Sequence, residues 1–177
     1  MANWVITDQR IGLPRITTTS DSSTPAVPPG TICRAVDVTA GASTTAYGIA
    51  CEFIYLAGVA STTAGSAVIY DENNNTTTLA PTTVSGANPV AIAMAANTSA
   101  ATYGWYMIEG VAAIKKTAVK VSPNVPMYIS ATAGRLMPTI ATGKALLGCR
   151  SVNAATVASA TSTVNCHINR PHFQLLV

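Results

Sequence analysis

The segment Tyr103-Gly-Trp-Tyr-Met-Ile-Glu-Gly-Val-Ala-Ala-Ile-Lys115 decides the fold class of this chain. Between Tyr103 and Ile108 the large apolar residues occur too densely for a strand with one solvated face, so we predict a strand that is covered on both faces. Short apolar segments that end in Asn, Gly, Pro or Ser lie on either side of it, at residues 89–95 and 125–131. This pattern predicts an all-β protein.

The spacing of the apolar segments from Thr31 onward favours a single β-barrel or β-sandwich domain. No segment carries a capped apolar stripe of helical period, although residues 91–101 contain enough Ala to allow a short helix. Hairpin loops are expected at residues 71–78 and 154–163. The expected strands are residues 31–38, 47–57, 66–70, 89–95, 103–115, 117–121, 125–131, 134–138, 144–152 and 162–170.

The N-terminal residues have a different composition from the rest of the chain. Residues 17–30 are rich in Thr, Ser and Pro, which disfavour a helix or a central strand and are typical of a linker. We therefore divide the chain into an extended N-terminal arm with its linker, residues 1–30, and a β-domain, residues 31–177. The alternative is that the first residues form an ordinary strand of their own domain. The residues predicted to bind a partner through the arm are Trp4, Val5, Ile6, Arg10, Ile11, Leu13 and Arg15.

Charge and hydropathy exclude several function classes. Only 10% of the residues are charged, and the net charge of +3 is too small and too dispersed for a nucleic-acid interface. The one basic cluster, Lys115, Lys116 and Lys120, is interpreted as protection of a strand edge. No run of about 18 apolar residues predicts a membrane helix. The N-terminus lacks a signal-peptide pattern, so the protein is expected to stay in the cytoplasm in which it is made.

Few residues are available for catalysis or for binding a metal. The two histidines and seven carboxylates are scattered, and neither a Gly-x-Ser-x-Gly nor a His-Glu-x-x-His motif is present. Asp71-Glu-Asn-Asn-Asn75 is the best candidate for Ca²⁺, but it lacks the spacing of a Ca²⁺-binding loop and is interpreted as an exposed turn. Tyr103, Trp105 and Tyr106 favour a core or a subunit interface over a stacking platform. We expect no enzymatic activity and no cofactor.

The cysteines are interpreted as packed thiols. None of the four belongs to a Cys-x-x-Cys pair, and Cys166 and His167, as neighbours on a strand, would point to opposite faces. In the cytoplasm the expected state is four reduced thiols that act as small apolar side chains. Oxidation of Cys33 with Cys51, or of Cys149 with Cys166, stays open as an alternative if these residues lie on paired strands.

The order of four strand-like segments resembles that of the small decoration, or cement, proteins of tailed-phage capsids. The resemblance concerns a style of β-strand sequence rather than a catalytic motif, and it spans roughly residues 48–150. Its segments are Glu52-Phe-Ile-Tyr-Leu-Ala-Gly-Val-Ala-Ser61, Ser66-Ala-Val-Ile-Tyr-Asp71, Pro89-Val-Ala-Ile-Ala-Met-Ala95 and Tyr103-Gly-Trp-Tyr-Met-Ile-Glu-Gly110.

The resemblance implies a virion structural protein that binds the outside of an icosahedral phage capsid and stabilises the shell. Its expected partners are the major capsid protein and further copies of itself, with a trimer favoured, and a core short of large side chains also favours a homo-oligomer. Two alternatives remain. One is a head-fibre or tail adhesin that binds a host surface glycan; the other is a capsule depolymerase, which the scarcity of carboxylates disfavours.

Overall fold

The computed structural model describes residues 3–9, 12–19, 23–38, 48–83 and 86–174. Within these ranges the chain forms eleven β-strands and no helix, which confirms the all-β prediction. The strands are β1 (Trp4–Ile6), β2 (Ile32–Asp37), β3 (Ala50–Ala57), β4 (Ala67–Tyr70), β5 (Thr77–Leu79), β6 (Val90–Ala93), β7 (Tyr103–Lys115), β8 (Pro126–Ile129), β9 (Leu136–Met137), β10 (Ala145–Ser151) and β11 (Thr163–Phe173).

Strand β7 organises the sheet. One edge of β7 pairs with β3, and the opposite edge pairs first with β6 and then with β11. The main path runs β1-β2-β3-β7-β11-β10-β8-β9, while β4 joins β5 to β6. The strand pairs are antiparallel, as expected for short strands that are joined by hairpins and turns. The architecture is that of a single domain of the sandwich or open-barrel type.

Both faces of β7 are buried, as its dense apolar pattern predicts, and both faces of β3 are buried as well. One face places Phe53 and Trp105 in the larger of two apolar clusters, and the other places Ile54 and Tyr106 in the smaller cluster. A strand with two covered faces has no solvated side on which polar residues could alternate.

A β-bulge in β7 changes which residues face each cluster. Glu52 lies opposite Glu109 but Phe53 lies opposite Met107, so β7 carries one extra residue there. Before the bulge the odd-numbered Met107 belongs to the larger cluster, and after it the even-numbered Ile114 does. The single insertion therefore keeps both halves of a long strand in one core.

Most expected strands coincide with observed ones, and the bounds of β7 match the expected 103–115. The loops expected at 71–78 and 154–163 join β4 to β5 and β10 to β11. Three predictions were wrong in detail. Residues 117–121 form no strand, and only Val121 makes an isolated bridge, to Val157. Strand β5 was not expected and β1 was expected only as the alternative for the first residues, because three residues are too few to show a periodic pattern.

Candidate functional site

The start of the N-terminal segment lies on the domain of its own chain. Val5 of β1 is paired with Val36 of β2, and the β1–β2 ladder continues through backbone hydrogen bonds on both sides. The Trp4 ring meets the Phe53 ring edge-on, with centroids 5.0 Å apart. Ile6 packs against the larger apolar cluster. Residues 4–6 therefore occupy the position of a first strand of the domain.

The later part of this segment is also attached to the core. The Trp105 indole Nε1 donates a hydrogen bond of 3.0 Å to the Pro14 carbonyl oxygen. Leu13 packs against the larger cluster, and Ile16 is only 2% exposed within it. Arg15 is exposed to solvent. The described part of residues 3–19 thus lies on the domain rather than extending away from it, which matches the alternative of an ordinary first strand.

Not all of the predicted partner-binding residues can be placed. Arg10 and Ile11 lie outside the described residues. Of the others, the structure brings Trp4, Ile6 and Leu13 together on the core, while Val5 and Arg15 point to solvent. The binding of a partner through these residues stays a prediction. Among the described residues of this set, Val5 and Arg15 are the ones exposed enough to make such a contact.

The outward side of β1 and β2 carries a set of exposed apolar residues. We call this surface the β1–β2 face and define it by Val5, Ile32, Arg34, Val36 and Val38, which share one side because they are two residues apart or directly paired. Val5 is 48% exposed, Val38 40% and Ile32 37%. The sequence signal for this face is the alternation within residues 32–38, where Cys33, Ala35 and Asp37 point inward.

A charged row crosses the same side of the sheet. The Glu52 carboxylate accepts hydrogen bonds from the Arg34 Nη2 atom and the Arg170 Nη2 atom, each at 2.6 Å, and from the Arg34 Nε atom at 2.8 Å. The Asp8 carboxylate accepts a hydrogen bond of 2.9 Å from the Arg34 backbone N–H. This bond attaches Asp8, which follows Thr7 after the end of β1, to strand β2. The hydrogen bond from Arg34 is the main reason that the pKa of Glu52 is lowered. Sequence analysis missed this cluster because residues 34, 52 and 170 are far apart in the chain.

We expect the Glu52 cluster to make stability dependent on pH. Because the folded-state pKa of Glu52 is lowered, its ion pairs stabilise the fold above the ordinary glutamate pKa. That contribution is lost as the pH falls through the folded-state pKa. Glu52→Gln should therefore lower the free energy of unfolding at pH 7 by at most about 1 kcal/mol, since both arginines face solvent, and by less at acid pH.

Urea denaturation of wild type and Glu52→Gln between pH 3 and pH 7 measures this effect. The matched control is Glu72→Gln, which removes a carboxylate on the exposed β4–β5 hairpin. A difference between wild type and Glu52→Gln that is the same at every pH would contradict the assignment.

The aromatic residues of β7 belong to the core, as predicted. Trp105 and Tyr106 are fully buried, and the Tyr106 hydroxyl accepts a hydrogen bond of 2.6 Å from the Asn97 side-chain amide. Tyr103 is half-buried and stacks on Tyr55, with ring centroids 6.1 Å apart. These rings are therefore not free to stack on a ligand.

The three lysines of the basic cluster have different surroundings. Lys116 is 1% exposed, and its ammonium group donates hydrogen bonds to the carbonyl oxygens of Val119 at 2.8 Å and Ser159 at 3.3 Å. Burial lowers the pKa of Lys116. The Lys115 ammonium group donates a hydrogen bond to the Thr63 hydroxyl, and Lys120 is exposed. The strand-edge role predicted for the cluster does not apply to Lys116, which instead fastens the loop after β7 to the β10–β11 hairpin.

The candidate Ca²⁺ loop is closed by its own hydrogen bonds. Each Asp71 carboxylate oxygen accepts one bond of 2.8 Å, from the Asn73 backbone N–H and from the Asn74 side-chain amide. The bond from the Asn73 N–H is the main reason that the pKa of Asp71 is lowered. The loop is therefore a hairpin turn that Asp71 stabilises, in agreement with its interpretation as an exposed turn.

All four cysteines are buried and none of the four forms a disulfide, as expected for packed thiols. Cys33 and Cys51 lie on the paired strands β2 and β3, and Cys149 and Cys166 on β10 and β11, each pair two residues out of direct register. The hydrogen bond with Cys166, together with burial, raises the pKa of Cys149. A protonated thiol is a poor nucleophile, so the Cys149 thiol contributes packing rather than reactivity.

No concentrated chemical centre occurs in the parts of the chain that the structure describes. Three or more His, Cys, Asp or Glu side chains do not gather there in a way that could hold a metal ion. None of the described residues belongs to a helix long and apolar enough to cross a membrane. Comparison with protein-family models, curated proteins and solved structures found no match to this chain.

Proposed function

We propose that this protein is a virion structural protein that binds the outside of an icosahedral phage capsid and stabilises the shell. Its partners are the major capsid protein and other copies of itself, with a trimer favoured. The order of strand segments that resembles cement proteins supports this proposal. The protein would be made in the host cytoplasm and act on the capsid exterior.

The observation that carries the proposal is the β1–β2 face. Val5, Ile32 and Val38 remain exposed on one side of the sheet although the domain has an apolar core of its own. Neighbouring apolar side chains of this kind favour contact with another protein surface. The adjacent charged row, Arg34 with Glu52 and Arg170, supplies the polar rim that such contacts usually have.

The proposed work is thermodynamic and requires no catalytic residue. A protein that binds only the assembled lattice stabilises it by mass action, in proportion to the logarithm of its concentration relative to Kd. Contacts of roughly 800 Å² per partner suffice when they are repeated over symmetric copies. An oligomer that touches several capsid subunits gains further through effective concentration.

We expect the double substitution Val5→Asp and Val38→Asp to weaken capsid binding at least tenfold, or about 1.4 kcal/mol, because it places two charges on the apolar contact. Both side chains face solvent, so the fold should be retained. Co-sedimentation with capsids of the phage that encodes the protein measures the affinity, and sedimentation equilibrium measures the oligomeric state. The matched control is Val119→Asp, at a valine that is 37% exposed outside the β1–β2 face.

Two results would contradict the proposal. The first is a double variant that binds capsids and oligomerises as the wild type does. The second is a mass-spectrometric copy number of tens rather than hundreds per virion, since tens of copies are typical of an adhesin rather than of a shell component.

A further inference from the structure

A cleft of about 540 Å³ lies between the β4–β5 hairpin and the residues that precede β6. Its volume is in the range of sites that hold small ligands. Tyr70, Glu72, Thr76 and Thr78 contribute to the hairpin wall, and Asn88 to the opposite wall. The cleft is separate from the β1–β2 face, because it is built from different strands.

Hydrogen bonds hold both walls in place. The Tyr70 backbone N–H donates to the Pro89 carbonyl oxygen at 3.2 Å, which joins the two walls. The Asp71 backbone N–H donates to the Thr76 carbonyl oxygen at 3.0 Å, and the Asp71 carboxylate closes the turn as described above. A ligand would therefore enter a shape that already exists, at little cost in conformational entropy.

Several polar groups along the cleft are available to a ligand. Among the described residues, the hydroxyls of Thr76 and Thr78 and the side-chain amide of Asn88 make no hydrogen bond within the protein. Tyr70 packs partly against the smaller apolar cluster and supplies an aromatic surface with its exposed part, and burial raises the pKa of its hydroxyl, which stays protonated and able to donate. Hydroxyl and amide groups beside an aromatic ring suit a ligand with many hydroxyls and an apolar ring face.

The charge of the residues that line the cleft disfavours anionic ligands. Asp71 and Glu72 both line it, and no Lys, Arg or His is among its described lining residues. A phosphate or an acidic sugar would meet both carboxylates directly, whereas Arg170, which acts on Tyr70, and His172, which is paired with Pro89, are not in the lining.

We propose that this cleft binds a neutral saccharide, with the Thr76, Thr78 and Asn88 side chains and the Glu72 carboxylate in contact with its hydroxyls and the Tyr70 ring against its apolar face. The inference goes beyond capsid decoration and does not depend on it, because the two functions use different surfaces.

The test uses the full-length protein and a panel of neutral methyl glycosides of glucose, galactose and mannose. We expect at least one of them to shift the amide resonances of residues 70–78 and 86–88 in titrations followed by NMR, with a Kd of about 1–10 mM. N-acetylneuraminic acid, which is anionic, should cause no such shifts.

Asn88→Ala and Thr78→Ala should each weaken binding about two- to tenfold, the range expected for the loss of one hydrogen bond. The matched control Thr139→Ala removes an exposed hydroxyl elsewhere and should leave the affinity unchanged. The proposal is overturned if no neutral glycoside shifts these resonances at about 50 mM. It is also overturned if both cleft variants bind as tightly as the wild type, or if Ca²⁺ alone shifts these resonances and no glycoside does.

Discussion

Deletion of residues 1–16 is expected to unfold the domain or to destabilise it by at least about 4 kcal/mol. The deletion removes the fully buried Ile16 together with Trp4, Ile6 and Leu13, all of which pack on the larger cluster. Burial of one large apolar side chain contributes about 1.5–3 kcal/mol, and a small domain is stable by only about 5–15 kcal/mol in total. Circular dichroism and urea denaturation of the truncated chain measure the effect.

A graded series separates the individual contributions. Ile16→Ala should cost about 2–4 kcal/mol because it leaves a cavity in the core. Arg15→Ala, at the exposed neighbour in the same segment, should change stability by less than about 0.5 kcal/mol. A truncated chain with an unchanged spectrum and urea midpoint would contradict the structure. That result would support the interpretation of residues 1–30 as an arm that binds a partner. A domain that does not need the arm for its core is expected to stay folded when the arm is removed.

Gly110→Ala should destabilise the fold by about 3–5 kcal/mol, since it combines backbone strain with overpacking. The backbone of Gly110 has φ +124°, a conformation that residues with a Cβ rarely adopt. An added Cβ would lie 2.8 Å from the Cys51 Cβ and closer still to its sulfur. Because β7 and β3 are central strands, the clash has no solvent side on which to relax. Thermal or urea denaturation measures the loss.

The matched control is Gly143→Ala. Gly143 also has a positive φ, +69°, but no heavy atom lies within 4 Å of its added Cβ. That substitution should cost only the backbone term, about 1–2 kcal/mol. The double variant Gly110→Ala with Cys51→Ala should recover part of the loss, because it removes the sulfur. Equal costs for Gly110→Ala and Gly143→Ala would show that the approach of Gly110 to Cys51 is not tight.

The strand pattern could be predicted because burial imposes a visible period on the residues of a long strand. For Tyr103–Ile108 of β7 the large apolar residues are so dense that the sequence predicts two covered faces. The hairpins at residues 71–78 and 154–163 were predictable for a similar reason, since their turn residues lie between strand-like segments. Residues 117–121 misled this reasoning. Their apolar and polar residues alternate as in a strand. The segment is instead a loop, and the buried Lys116 ammonium group donates a hydrogen bond to the Val119 carbonyl oxygen within it.

The candidate site was less predictable, because its residues meet only through pairing between distant segments. Nothing in the local sequence of Arg34, Glu52 or Arg170 indicates that they form one cluster, and the β1–β2 face needs the register of β1 to place Val5 beside Val36. Likewise, the cleft requires the β4–β5 hairpin to stand opposite residues 86–89.

The sequence by itself determined the all-β class, the location of the long strands, the burial of both faces of β7 and the packing of the cysteines. These properties follow from local patterns of apolar and turn residues. Only the tertiary structure decided the placement of residues 3–19, the bulge between Met107 and Glu109 and the sharing of Glu52 by two arginines. The physical reason is that hydrophobic burial is non-directional. The sequence of an apolar segment such as Trp4-Val-Ile6 therefore indicates that the segment is buried, but not against which surface. Here the covering surface is Phe53 and the core of the same chain.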